Sequence, residues 1–275
     1  MIAKITITRI NITGSLLSFA QNMVKIGLVL SGGGARGIAH LGVLKALDEL
    51  GITISYISGT SAGAIVGAFY SAGYKPEEIL NIAKTQKFFG YSNFLFGKAG
   101  LFNMGTFESV YKTYFTRNLI EELPIPMTIT ATDIVKGEIH YFTHGDLSKA
   151  LMASSCVPLV FEPVRVENTI MIDGGILNNF PIEPLLPISD KIIGVNVNAI
   201  SQNFDQIHMK DMLDRGFHIA MKGAIMDKIK YCDVFIEPEN MSRFGMFDLS
   251  KLDEIFSEGY NCAMDHSKEL VKISI

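Results

Sequence analysis

The stretch from Val24 to Ser58 constrains the fold more than any other part of the chain. It runs through an apolar segment (Val24–Leu30), a glycine loop, an amphipathic segment and a second apolar segment (Ile52–Ser58). Ile38, Leu41, Leu44, Leu47 and Leu50 recur at helical spacing, and Gly51 suits the residue that follows a helix C-terminus. Strand, helix and strand in this order form a right-handed crossover, so the two strands lie parallel in one sheet. With 275 residues, of which 48% are apolar, the chain has the material for one α/β domain with a substantial core.

The loop in that unit, Gly32-Gly-Gly-Ala-Arg-Gly37, satisfies the GxGxxG spacing of a dinucleotide site. Such a site also needs an acidic residue at the end of the second strand to grip a ribose. Here the second run is followed by Gly59-Thr60-Ser61-Ala62-Gly63, with no acid at the strand's end. That string is GxSxG, the pattern of a nucleophile elbow, in which a serine sits on a sharp strand-to-helix turn. The glycine loop then acquires another use: the backbone N–H groups of Gly33 and Gly34, unshielded by any Cβ at a helix N-terminus, can face an oxyanion. A turn that binds nothing remains the simpler alternative for the loop alone.

Further along, Pro76 opens a helix that runs to about Lys84, and another helix spans about Phe107 to Phe115. Met127–Ala131 and Glu138–Phe142 form a hairpin around Gly137, and Asp146 caps a helix over Leu147–Ser154. Thr169–Asp173 and Lys191–Asn198 read as strands, followed by a helix around 207 to 229, a short strand at Cys232–Glu237 and a terminal helix from about Leu249. Residues 1–22 alternate like an edge strand and are interrupted by Arg9 and Asn11, so they read as an N-terminal extension without a cleaved signal, outside a domain spanning 23–275. Between Phe88 and Met104, nine large apolar residues are interleaved with Gly90, Gly97 and Gly100 and follow no period. On the residues alone this segment reads either as edge-of-sheet packing or as an exposed apolar flap.

Lys and Arg number 24 against 28 Asp and Glu, a net charge of −4 with the charges interspersed, which argues against a nucleic-acid surface. Mean hydropathy is high at +0.28, yet no uninterrupted apolar run reaches the roughly 18 residues of a membrane span. Cys156, Cys232 and Cys262 lack CxxC or ligand spacing, which predicts a reducing cytoplasm and no metal site. The expected location is cytoplasmic, with peripheral contact at the inner face of the membrane. None of these patterns encodes an oligomeric state.

Ester cleavage needs a nucleophile, a base and oxyanion donors. Ser61 fits the first. For the base, the residues leave two choices. A late histidine (His208, His218 or His266) after Asp173 would complete a Ser-Asp-His triad, giving a general carboxylesterase or thioesterase. Alternatively Asp173 itself, ending a strand and released by Gly174 and Gly175, acts directly. An exposed carboxylate near pKa 3.9 is a weak base, so this second choice requires burial beside Ser61. Arg36 either steers an anionic head group or lies solvated on the first helical turn, the second being the plainer reading. A non-catalytic nucleotide- or lipid-binding module is the remaining alternative.

Together, Gly32-Gly-Gly-Ala-Arg-Gly37, Gly59-Thr-Ser-Ala-Gly63, Ala153-Ser-Ser-Cys-Val-Pro158 with Phe161 and Pro163, and Asp173-Gly-Gly175 with Asn178 and Pro181 resemble the patatin-like phospholipase family in order and spacing. The small bacterial members are the nearer match. The resemblance implies a three-layer α/β/α fold with a mainly parallel central sheet, a Ser61–Asp173 dyad without histidine, and hydrolysis of lipid acyl esters without metal or cofactor. It also implies an oxyanion loop made of Gly32, Gly33, Gly34, Ala35, Arg36 and Gly37, an elbow of Gly59, Thr60, Ala62 and Gly63 around the serine, and Gly174 and Gly175 as the base motif.

Overall fold

The computed structural model describes residues 24–86, 100–102, 104–200, 212, 215–216, 219, 223–246 and 248–275. The extension read over 1–22, most of the aromatic segment, and His208 and His218 lie outside them. The leading unit is β1 (Ile26–Leu30), a 3₁₀ turn over Gly34–Ile38, α1 (Ala39–Glu49) and β2 (Ile54–Thr60). β1 and β2 pair in parallel, as the crossover predicts.

The main sheet adds β4 (Met127–Asp133), β5 (Glu138–Phe142), β7 (Val164–Val166), β8 (Thr169–Asp173), β9 (Lys191–Val195) and β10 (Val234–Ile236). Its order is β10-β9-β1-β2-β4-β8-β7, with β5 also on β4. The pairings from β10 through β9, β1 and β2 to β4 are all parallel, whereas β5 and β8 pair antiparallel with β4, and β7 with β8. A separate parallel pair joins β3 (Gly100–Phe102) to β6 (Leu159–Phe161). The helices that follow α1 are α2 (Ala62–Ser71), α3 (Pro76–Thr85), α4 (Gly105–Tyr114), α5 (Leu147–Ser155), α6 (Leu252–Asp265) and α7 (Ser267–Ile273).

Alternate residues of β1 enter different cores, because successive side chains of a strand point to opposite faces. Leu28 and Leu30 join Leu41, Phe69, Leu151 and Ile255 beneath the helices. Val29 faces the other way, into a smaller cluster with Phe180, Ile182, Leu185, Ile192 and Ile225. The sheet is therefore covered on both sides, which accounts for a β1 buried along its whole length.

The register on β4 positions the site. Residues 129 to 133 of β4 all pair with β5, so β5 occupies one edge. The opposite edge is shared: β2 pairs with 127 to 130, ending with Thr60 opposite Thr130, and β8 pairs with 131 to 133, ending with Asp173 opposite Ala131. Two strands running in opposite directions thus meet head to head on one edge of β4. Ser61 leaves the end of one strand where Asp173 closes the other.

Candidate active site

Ser61 occupies the sharp turn between β2 and α2 with φ 52 and ψ −122, a region that L side chains seldom adopt. Its backbone N–H donates to Ser154 Oγ at 2.8 Å, and Ser154 Oγ donates onward to the Thr130 carbonyl at 2.6 Å, tying the elbow to β4. The glycines flanking the serine are packing requirements. A Cβ at Gly59 would lie 2.8 Å from the Ala64 nitrogen, and one at Gly63 would collide with the carbonyl oxygens of Leu30 and Ser31. Thr60 Oγ1 donates to the Asn178 carbonyl at 2.8 Å, binding the elbow to the segment that follows the Asp-Gly-Gly motif.

Asp173 is buried, and its Oδ1 accepts the Gly175 N–H at 2.7 Å. Oδ2 is buried without a hydrogen bond of ordinary geometry. Burial raises the Asp173 pKa to about 6; the neighbouring Ser61 hydroxyl and the Gly175 amide favour the charged form and hold the rise back. The Ser61 hydroxyl is thus near enough to stabilise the carboxylate, although Oδ2 accepts no hydrogen bond of ordinary geometry from it. A Cβ at Gly174 would collide with the Thr130 carbonyl and approach Thr60 Cγ2 to 3.1 Å, so the Asp-Gly-Gly turn packs directly on the elbow strand.

The glycine loop lies against the elbow, where a Cβ at Gly32 would come within 3.2 Å of Ser61 Cβ. Its successive peptide planes are held from behind: His40 Nε2–H donates to the Ser31 carbonyl at 2.8 Å, Asn198 Nδ2–H to the Gly32 carbonyl at 2.7 Å, and the Arg36 N–H to the Gly33 carbonyl at 3.2 Å. The Gly32 N–H is committed to the Asn179 carbonyl and the Ala35 N–H to the Met246 carbonyl. Among the described residues no acceptor takes the Gly33 or Gly34 N–H. Gly34 has φ +58, and a Cβ there would collide with Met246, so both the turn and the packing call for glycine. A Cβ at Gly37 would likewise collide with Ala62 Cβ, which seats the loop on the first turn of α2.

Arg36 is neither solvated nor free to steer a head group: it is 5% exposed, and its Nε donates to the Phe244 carbonyl at 2.6 Å. The side chain ties the loop to a segment 208 residues away, a partner that helical periodicity does not disclose. His40 is fully buried, and desolvation lowers its pKa to about 4, so it serves as a neutral donor to Ser31. The other described histidines sit elsewhere: His140 packs on Phe142, His144 meets Thr143, and His266 contacts the Cys262 carbonyl. Sequence reasoning gave no role to Ser154, Asn179 or Asn198. The one signal available for Asn198 was its place just beyond the carboxyl end of a parallel strand, where α/β sites gather.

A largely apolar cavity of about 160 Å³ opens at Ser61. Its walls are Gly34, Ala35, Gly37 and Ile38 from the loop, Ala62, Ile65 and Val66 from α2, and Ala83 from α3. Phe107 and Tyr111 from α4, then Ser155, Val157 and Phe161, and finally Met246, Leu249 and Leu252 complete it. Among the described residues no group of three His, Cys, Asp or Glu side chains is placed to hold a metal.

A family model described as Patatin-like phospholipase matches residues 28–186, more than half of the chain. An uncharacterized NTE family protein of Mycobacterium tuberculosis is 35% identical over 179 residues, covering 64% of this chain and 49% of the relative. A protein named lysophospholipase NTE1 from Mycosarcoma maydis is 25% identical over 281 residues, covering 88% of this chain and 15% of its own length. The chain thus spans about half, or less, of the curated relatives it matches. In fold it is similar to VipD from Legionella pneumophila, with a TM-score of 0.54 at 15% identity over 92% of this chain and 67% of that one. With the glycine loop, the serine elbow and the Asp-Gly-Gly turn converging inside the matched region, the chain belongs to the patatin-like phospholipase family.

Proposed function

We propose that this protein is a serine acyl hydrolase that cleaves fatty-acyl esters of phospholipids or lysophospholipids through a Ser61–Asp173 dyad. The observation that carries this reading is the head-to-head meeting of β2 and β8 on β4, which sets a strained serine beside a buried carboxyl at the mouth of an apolar cavity. Ser61 Oγ attacks the acyl carbonyl while its proton passes to Asp173. The negative charge that develops on the carbonyl oxygen is met by the Gly33 and Gly34 N–H groups. Collapse expels the glycerol alkoxide, which takes the proton back from Asp173. Water, deprotonated by Asp173, then attacks the acyl-serine; collapse releases the fatty acid and expels Ser61 Oγ, which takes the proton from Asp173 and restores both groups.

A pKa near 6 leaves Asp173 ionised at neutral pH while making it a better base than an ordinary carboxylate. Of the three late histidines that could complete a triad, the described one, His266, contacts the Cys262 carbonyl and not Asp173, which favours the dyad. One narrow apolar cavity suits a single acyl chain, in keeping with the lysophospholipase name of the fungal relative. The same reading has the enzyme act in the cytoplasm, peripherally at a lipid surface, in keeping with three unbridged cysteines and an apolar cavity open beside Ser61. Labelling with a fluorophosphonate and hydrolysis of p-nitrophenyl butyrate test the reading. Both should be lost in Ser61→Ala with the fold retained, and wild-type hydrolysis by that variant would refute it.

A further inference from the structure

We infer that Asn198 is a positioning residue for the oxyanion donors, acting through the peptide plane that joins Gly32 to Gly33; the inference rests on the hydrolase reading above. The described chain has no cis peptide bond, so in this peptide the Gly32 C=O and the Gly33 N–H point to opposite sides of one rigid plane. Asn198 Nδ2 donates to that carbonyl at 2.7 Å. Holding the oxygen toward Asn198 aims the Gly33 N–H the other way, and this is one of the two loop amides without a described acceptor. Without the tie, the plane itself keeps no described hydrogen bond and is restrained only through the neighbouring peptides, across two glycines that resist its rotation least of all residues.

The direction of the Asn198 amide is itself determined. Its Nδ2 also faces Asn196 Oδ1 at 3.0 Å and Ser31 Oγ at 3.3 Å, so acceptors surround it. Asn196 in turn donates its Nδ2 to Glu237 Oε1 at 2.5 Å, and an ionised carboxylate only accepts. A directed chain of amides therefore runs from Glu237 through Asn196 and Asn198 to the Gly32 carbonyl. Asn198 and Asn196 are 6% and 3% exposed, which shields these bonds from competing water.

The test uses the full chain with Asn198→Asp, which replaces the donor by an acceptor facing the carbonyl, and Asn198→Ala, which removes it. Rates are expressed per site titrated with a fluorophosphonate, so any unfolded fraction drops out. Losing an oxyanion donor costs about 100- to 1000-fold in turnover, and misaiming one should cost about 10- to 100-fold. The expected result is a kcat lower by that factor on p-nitrophenyl butyrate, KM within about twofold, and affinity for a trifluoromethyl ketone, which forms a tetrahedral adduct, reduced in the same ratio. A purely structural asparagine would lower the melting temperature or the number of titratable sites while leaving kcat per site unchanged, and that result would overturn the inference. So would a rise in KM alone. A wild-type chain with no Ser61-dependent hydrolysis would remove the underlying reading and the inference with it, whereas active wild type with unaltered Asn198 variants would remove the inference alone.

Discussion

The chemistry proposed for Ser61 and Asp173 depends on a carboxyl that the fold holds at a cost. Asp173 is buried with only the Gly175 amide firmly bonded to it, so ionisation is harder in the folded chain than in the unfolded one. The native state is therefore penalised in full above about pH 6, where the carboxylate is charged in both states; the penalty shrinks as the pH falls from 6 and is gone only below 3.8, where the group is protonated in both states. A rise from 3.8 to about 6 corresponds to about 3 kcal/mol at neutral pH. Asp173→Asn keeps the acceptor for Gly175 and removes the charge, at the cost of a buried amide N–H₂ without a partner, about 1–2 kcal/mol. The variant should be inactive yet more stable than wild type by about 1–2 kcal/mol at pH 8, with the gain vanishing near about pH 5 and turning into a loss by about pH 4, where the unpartnered amide outweighs what is left of the charge penalty. Wild-type kcat/KM should fall with unit slope below about pH 6. Denaturant titration at the two pH values and a pH-rate profile check both; an inactive variant that is less stable at pH 8 would contradict the assigned burial cost.

At the scale of elements, much was legible because the constraint was local. The glycine loop, the elbow, the hairpin at Gly137, the Asp146 cap and the strand ending in Asp173 each carry turn or capping chemistry within a few residues, and they fold as read. What periodicity withheld was partnership: alternation marks Thr169–Asp173 as a strand but does not reveal that it runs against β4 and abuts β2. The terminal helix shows the same limit. α6 crosses α1 so closely that a Cβ at Gly42 would collide with the Phe256 carbonyl and one at Gly259 with the Ala39 carbonyl. Two glycines more than 200 positions apart thus serve one crossing, which neither helical stripe announces. Gly42→Ala and Gly259→Ala should each destabilise by about 1–3 kcal/mol through overpacking, beyond the small gain in helix propensity that alanine brings. Chemical denaturation of the two variants and of the double variant provides the measurement. Since both cause the same separation of the helices, the double variant should lose less than the two singles combined, and strict additivity would mean that the sites do not share this contact.

Taken as a whole, the molecule builds its site from both ends of the chain. The family match ends at residue 186, yet the glycine loop hangs on the carbonyls of Met246 and Phe244, and Met246, Leu249 and Leu252 close the cavity that α2, α3 and α4 open. The segment that binds the loop also forms a wall of the cavity, which explains why Arg36 is buried there rather than free at the entrance. If the cavity receives the acyl chain, its contents rather than the dyad should set chain-length preference. Ala83 on α3 lines it and is only partly buried, so a larger side chain can grow into existing space without the strain of overpacking. Ala83→Leu should then displace about three methylenes of a long chain, at about 0.8 kcal/mol each, lowering kcat/KM for p-nitrophenyl decanoate roughly 50-fold relative to the butyrate. The butyrate rate itself should stay near wild type, because a short acyl group need not reach α3. An unchanged ratio of the two esters would mean that the acyl chain leaves Ser61 along another path. An equal loss on both would mean that leucine disturbs the elbow instead of filling the cavity.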